Sequence, residues 1–145
     1  MNVAEILAYK GSDVATIGPD HSIREAVGLL ADRSIGAVVV TDDAGTVIGM
    51  FSERDVVRRA ARDDGLDLDA SVESVMTTTL TTCRLGDLSE ALMKMMTERR
   101  IRHLPVLDDS DELCGIISIG DVVKERVNEL ETAHEQLVDY VRSGR

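Results

Sequence analysis

The chain has 145 residues, 43% of them apolar, and a net charge of −11. Its aliphatic content suits a globular domain and not a disordered chain; with one Phe, two Tyr and no Trp, the core must be built from Val, Ile, Leu and Met. The acidity argues against duplex nucleic acid, whose phosphates require a basic footprint, and against anionic membrane surfaces.

In chain order, MNVAEILAYKG carries only a short semi-apolar patch and does not read as a signal peptide. The longest apolar runs are too short to span a bilayer, so a cytoplasmic protein is expected. An extended piece, VATI, precedes SIREAVGLLA. There Ser22 and Glu25 form a capping box, and Ile23, Ala26, Val27, Leu30 and Ala31 recur on one helical face. A strand (AVVV), an Asp/Gly turn (TDDAG) and a second strand (VIGMF) read as a hairpin. A helix starts near Ser52, and a polar, acidic junction follows.

The order then recurs. VESVM echoes the earlier VAEIL, and LTTC is the second extended piece. The next helix places Leu88, Ala91, Leu92, Met95 and Met96 on one face, with Asp87 and Glu90 as a near capping box. HLPV, LDDSD and LCGII repeat the hairpin, and a helix begins near Ser118. A shift of 66 superposes Gly49 on Gly115, Ser52 on Ser118 and Asp55 on Asp121; towards the N-terminus a shift of 65 matches the apolar helix positions, implying a one-residue insertion. Neither half holds enough aliphatic surface for a comfortable core alone, so two halves packed about a pseudo-twofold axis would share one.

The corner GMFSERD, repeated as GIISIGD, carries the chemistry. Its first reading is a helix cap, with Ser at the N-cap and an acid three residues on. The same geometry suits a nucleotide. A helix N-terminus with a Ser hydroxyl attracts phosphate, and an Asp carboxylate accepts both hydroxyls of a ribose. The preceding Gly would let backbone or ligand approach closely. In this acidic chain RRIRH, Arg99 to His103, is the densest basic run. Arg99 and Arg100 read as a solvated helix end; Arg102 and His103 begin a strand and, with Arg54, could hold an anion.

Cys83 and Cys114 lack metal-ligand spacing and read as buried thiols in a reducing compartment. His21 reads as exposed surface, and Met93, Met95 and Met96 as core filler. Asp42, Asp43, Asp108 and Asp109 make acidic turns, which turn chemistry explains without a metal. In the last helix Val123, Val127, Leu130, His134, Leu137 and Val141 form a heptad seam, to be covered by the body or by a second chain.

The repeated order strand–helix–strand–strand–helix, with IRHLPVLDD followed by GIISIGD, resembles the CBS domain, which occurs in tandem as a Bateman module. The first copy is more drifted, since GAVVV lacks the His and Pro. The resemblance implies an α/β fold (α+β) of two pseudo-twofold repeats packed sheet to sheet, with an extended C-terminal helix. The expected division is repeat 1 at 1–62, a linker at 63–71, repeat 2 at 72–128, and helix and tail at 129–145. It also implies crossed sites. One cleft would combine Met50, Ser52, Arg54 and Asp55 with Thr82, Arg102, His103, Leu104 and Pro105. The other would combine Ile116, Ser118 and Asp121 with Thr16, Ala37 and Val38, with Lys124 as its nearest obvious cation.

The expected function is a non-enzymatic regulatory module for AMP, ADP, ATP or NAD(H), acting through a homodimer or a protein partner, with no required cofactor or metal. S-adenosylmethionine fits the ribose and adenine features, but its sulfonium is poorly served by Arg54 and Arg102. A structural adaptor that binds no ligand is the alternative. A nucleotide-processing enzyme is the weaker one, because no Walker-type loop or nucleophile–base set is present.

Overall fold

The structure, a computed structural model, describes residues 1–144. The elements in order are α1 (Val3–Lys10), β1 (Thr16–Ile17), α2 (Ile23–Arg33), β2 (Ala37–Thr41), β3 (Val47–Ser52) and α3 (Glu53–Ala60). A 3-10 turn at Val72–Ser74 leads into β4 (Cys83–Arg84), α4 (Ser89–Arg99), β5 (His103–Leu107), β6 (Leu113–Ser118) and α5 (Ile119–Ser143). They form two three-stranded sheets, β1-β2-β3 and β4-β5-β6, each with one parallel and one antiparallel pair. The expected hairpins are present. Their registers set Ala37 opposite Ser52 and His103 opposite Ser118, with an irregularity at the same place in each, Val40/Thr41 and Val106/Leu107.

Strand alternation divides the side chains. Val38 and Val40 join Ile23, Ala26, Leu30 and Phe51 in one core, while Leu104 and Val106 join Leu92, Met96 and Ile117 in the other. There is thus no single merged core; the halves share by exchange. Val3, Ile6 and Leu7 of α1 belong to the second core, and Val72, with Val75 and Met76 packed against it, belongs to the first. Each lead-in completes the opposite repeat. Alone, an eight-residue helix is marginal in water. Burying the Val, Ile and Leu of α1 at about 1.5–3 kcal/mol each is what holds it. Its start is fixed by a reciprocal box: Asn2 Oδ1 accepts from the Glu5 N–H at 2.9 Å, and Glu5 Oε2 from the Asn2 N–H at 3.1 Å.

Two expectations are corrected. The offset between the repeats is 66 through the helices as well, since α4 begins 66 residues after α2, and Ile17 and Cys83 occupy the same register position. The buried face of α4 is therefore Ser89, Leu92 and Met96; Leu88 is 58% exposed and Ala91 is exposed. Apolar residues ring so much of this helix that two registers matched the periodicity, and only the sheet beneath decides between them. The capping boxes also differ. Ser22 caps α2 by accepting from the Glu25 N–H, but the Glu25 carboxylate pairs with His21. At α4 the N-cap is Leu88, while Asp87 accepts from the Arg84 N–H.

Candidate functional site

The glycine of each corner makes room for the protein itself. A Cβ on Gly49 would lie 2.7 Å from Met76 Sδ and 3.0 Å from the Thr77 carbonyl oxygen; one on Gly115 would lie 2.7 Å from Leu7 Cδ1. The exchanged lead-ins cross β3 and β6 at these points, so the close approach expected there is that of the chain and not of a ligand.

At the first corner, Asp55 is 7% exposed. Its Oδ2 accepts from the Ser52 N–H (2.8 Å) and the Ser52 hydroxyl (3.2 Å), and its Oδ1 from the Thr77 hydroxyl (3.0 Å). The Thr77 N–H donates to the Met50 carbonyl at 2.8 Å. A carboxylate has about four acceptor sites, so capping leaves Asp55 some acceptor capacity. At the second corner Ser118 and Asp121 cap reciprocally: Asp121 Oδ2 accepts from the Ser118 N–H at 2.8 Å and Ser118 Oγ from the Asp121 N–H at 3.1 Å. Here the partner is Lys10, whose ammonium donates to Asp121 Oδ2 at 2.6 Å and to the Ile116 carbonyl at 2.8 Å. Burial alone would raise the Asp121 carboxyl; the hydrogen bonds from Lys10 and Ser118 outweigh it and hold the group below the usual aspartate range.

A cleft of about 360 Å³ opens beside the first corner, between the start of α3 and the α4–β5 connection. Five arginines line it, Arg54, Arg58, Arg99, Arg100 and Arg102, against two acids, Glu53 and Asp55. Two of them are tied in place. Arg54 Nη1 donates to the Arg100 carbonyl at 2.6 Å, joining α3 of one repeat to the end of α4 of the other, and Arg99 Nη1 donates to Thr81 Oγ1 at 3.1 Å. Burial pushes the His103 imidazole below its ordinary value, with Glu53 opposing, so near neutral pH His103 adds a polar ring and no charge. That ring and the Glu53 carboxylate lie close over Gly36, where an added Cβ would meet both at 3.4 Å.

Of the residues expected in the first cleft, Met50, Ser52, Arg54, Asp55, Arg102 and His103 line it. Thr82 is half-buried and is not among the lining residues. Leu104 turns into the second core, and Pro105 is buried opposite Ile116 in the sheet. Ala37, assigned to the second cleft, lines the first. Val38 lies in the first core and Thr16 pairs with Val39 in the sheet. Ile116, Ser118 and Asp121 do assemble at the second corner, where Lys10 bonds to both Ile116 and Asp121. Lys124 is exposed and makes no bond there among the described residues. Sequence reasoning missed Arg58, though its place one turn beyond Arg54 was a signal. It also set aside Arg99 and Arg100, and nothing local pointed to Thr77 or Lys10.

The acidic turns close on themselves: Asp42 Oδ1 accepts from Ala44 and Thr46, and Asp108 Oδ1 from Ser110 and Glu112. Cys83 is buried, its thiol pushed up to about 12 by burial, and Cys114 is half-buried. Among the described residues no cluster of three His, Cys, Asp or Glu could hold a metal, and no helix is long and apolar enough to cross a membrane. The seam of α5 is left uncovered, with Leu130 57% and Leu137 60% exposed.

Comparison with known proteins fits this architecture. The family model "CBS domain" matches twice, at residues 3–62 and 72–128. A CBS domain-containing protein of Bacillus subtilis is 33% identical over 117 residues, covering 81% of each chain. Some curated relatives are far longer, and the chain spans 22% of one of them. A CBS-domain containing protein from Agrobacterium tumefaciens, of known structure, is 48% identical with a TM-score of 0.83, over 87% of this chain and 99% of that one. A CBS domain protein from Pyrobaculum aerophilum, solved in complex with AMP, is 28% identical with a TM-score of 0.77, over 92% and 99%. With both repeats matched and the fold shared, the chain belongs to the CBS-domain family, as a tandem pair of repeats.

Proposed function

We propose that the protein is a regulatory module that binds an adenine nucleotide, AMP, ADP, ATP or NAD(H), in the cleft beside Asp55. The observation that carries this reading is the gathering of five arginines against two carboxylates, Glu53 and Asp55, in a chain of net charge −11. Phosphates would lie against the first turn of α3, the Ser52 hydroxyl and the arginines. Asp55 would take a ribose hydroxyl on its remaining acceptor capacity. The AMP complex of the Pyrobaculum relative supports the ligand class. The cationic lining disfavours S-adenosylmethionine. Regulation, not catalysis, is favoured because the Ser52 hydroxyl is engaged with Asp55, and His103 bonds to neither corner serine among the described residues. No metal or further cofactor is required by this reading. Binding would favour one arrangement of the two repeats over another, and the cytoplasm would be the setting. A homodimer that covers the α5 seam would carry the signal to a protein partner. The division into repeats at 1–62 and 72–128, with a linker at 63–71 and a tail at 129–145, is retained.

Isothermal titration of nucleotide-stripped, folded protein with AMP, ADP, ATP, NAD and S-adenosylmethionine tests this. The expected result is saturable binding of a nucleotide that weakens with salt and with Arg99→Glu or Arg102→Glu, leaving the nucleotide unaltered after long incubation. Absence of binding by all of them would leave the adaptor reading.

A further inference from the structure

The two corners are built alike and completed differently. At the first, Thr77 does two things: its N–H satisfies the Met50 carbonyl, and its hydroxyl donates to Asp55. Met50 and Asp55 correspond to Ile116 and Asp121 at the offset of 66. At the second, one ammonium performs both tasks, since Lys10 Nζ donates to the Ile116 carbonyl and to Asp121. The difference is electrostatic. A neutral hydroxyl leaves the charge of Asp55 for a ligand, whereas Lys10 neutralises Asp121 with a cation belonging to the chain. The lead-ins explain why. The segment completing the first core is a 3-10 turn and short extended run. The segment completing the second is α1, anchored by Val3, Ile6 and Leu7, with Leu7 against Gly115, and its last residue reaches the corner.

We propose that Lys10 is a built-in occupant of the second corner, making the protein a one-nucleotide module with a latent second site that a nucleotide reaches only by displacing the ammonium. This rests on the nucleotide reading of the first cleft. The ligand class at the second corner is the same nucleoside phosphate, gripped through Asp121 and Ser118. Lys10 and Asp121 remain partly exposed, at 29% and 22%, so the latch is a modest one. Removing it should strengthen binding at the second corner roughly fivefold, the scale of a partly exposed ion pair.

The test is titration of the full chain with ADP in wild type, Asp55→Asn, Lys10→Met and the Asp55→Asn/Lys10→Met double variant. Wild type should bind one equivalent tightly. Asp55→Asn should silence that event, and the double variant should bind ADP measurably better than Asp55→Asn does. Two equal equivalents in wild type, or a double variant no better than Asp55→Asn, would overturn the proposal. A ligand-free arm separates it from the nucleotide reading: carbon-detected NMR titration of the Asp121 carboxyl, which faces Lys10 with His103 nearby. Its midpoint should rise in Lys10→Met and stay low in Lys10→Arg. An unchanged midpoint in Lys10→Met would refute the latch even if ADP binds, and a raised one alongside no ADP binding in any variant would establish the contact while removing its proposed role.

Discussion

Replacing Asp55 by alanine would do more than remove a ligand contact. Asp55 accepts three protein hydrogen bonds at a nearly buried position, from the Ser52 N–H, the Ser52 hydroxyl and the Thr77 hydroxyl. The two hydroxyls can turn elsewhere; the Ser52 N–H cannot. An orphaned buried donor costs about 1–3 kcal/mol, and a bond to a charged group contributes about 1.5–3 kcal/mol. The expected loss is therefore about 2–4 kcal/mol. For a chain of this size each kcal/mol lowers Tm by about 2–4 °C, so Asp55→Ala should melt roughly 4–16 °C below wild type. Asp121→Ala loses the Ser118 N–H bond and a partly exposed ion pair, for about 1–2 kcal/mol and a smaller fall. Asp55→Asn keeps a carbonyl for the Ser52 N–H and should recover about half of the loss. Thermal denaturation of the three variants without ligand measures this ordering. Asp55→Ala melting within about 2 °C of wild type, or Asp121→Ala melting lower than Asp55→Ala, would refute the view that the first corner is the tighter cap.

Three further outcomes follow from the same structure. Because folded His103 resists protonation, the unfolded chain binds the extra proton first; stability should decline as pH falls below the ordinary imidazole value of about 6.5, and His103→Gln should flatten that limb in denaturant titrations across pH 7 to 5. The Ser89 hydroxyl is buried with no hydrogen-bond partner, at the position held by Ile23 in the first repeat. Ser89→Ala should raise Tm by a few degrees through relief of a desolvation cost of about 1 kcal/mol or more; a fall would indicate a partner for the hydroxyl. The uncovered seam of α5 should hold a dimer together, so Leu130→Glu with Leu137→Glu should convert dimer to monomer in sedimentation experiments; a wild-type monomer would contradict the homodimer.

How much of this was legible in the sequence depended on distance along the chain. The two hairpins, the amphipathic helices, the repeated Gly-x-x-Ser-x-x-Asp corner and the length of α5 were readable because each rests on local periodicity or on a cap within one turn. Arg54, Asp55, Arg102 and His103 could be placed together from the repeat and its resemblance. The buried face of α4 could not be fixed, because apolar residues at two registers satisfy helical spacing equally and only the sheet beneath selects Leu92 and Met96. The corner glycines read as room for either backbone or ligand; tertiary packing fills that room with Met76, Thr77 and Leu7. The inequality of the corners was beyond local reading altogether, since Lys10 meets Asp121 across 111 residues. Sequence by itself determined that this chain is one motif built twice. The exchange of lead-ins decided that the two copies differ, because it brings a neutral threonine to one carboxylate and an ammonium to the other.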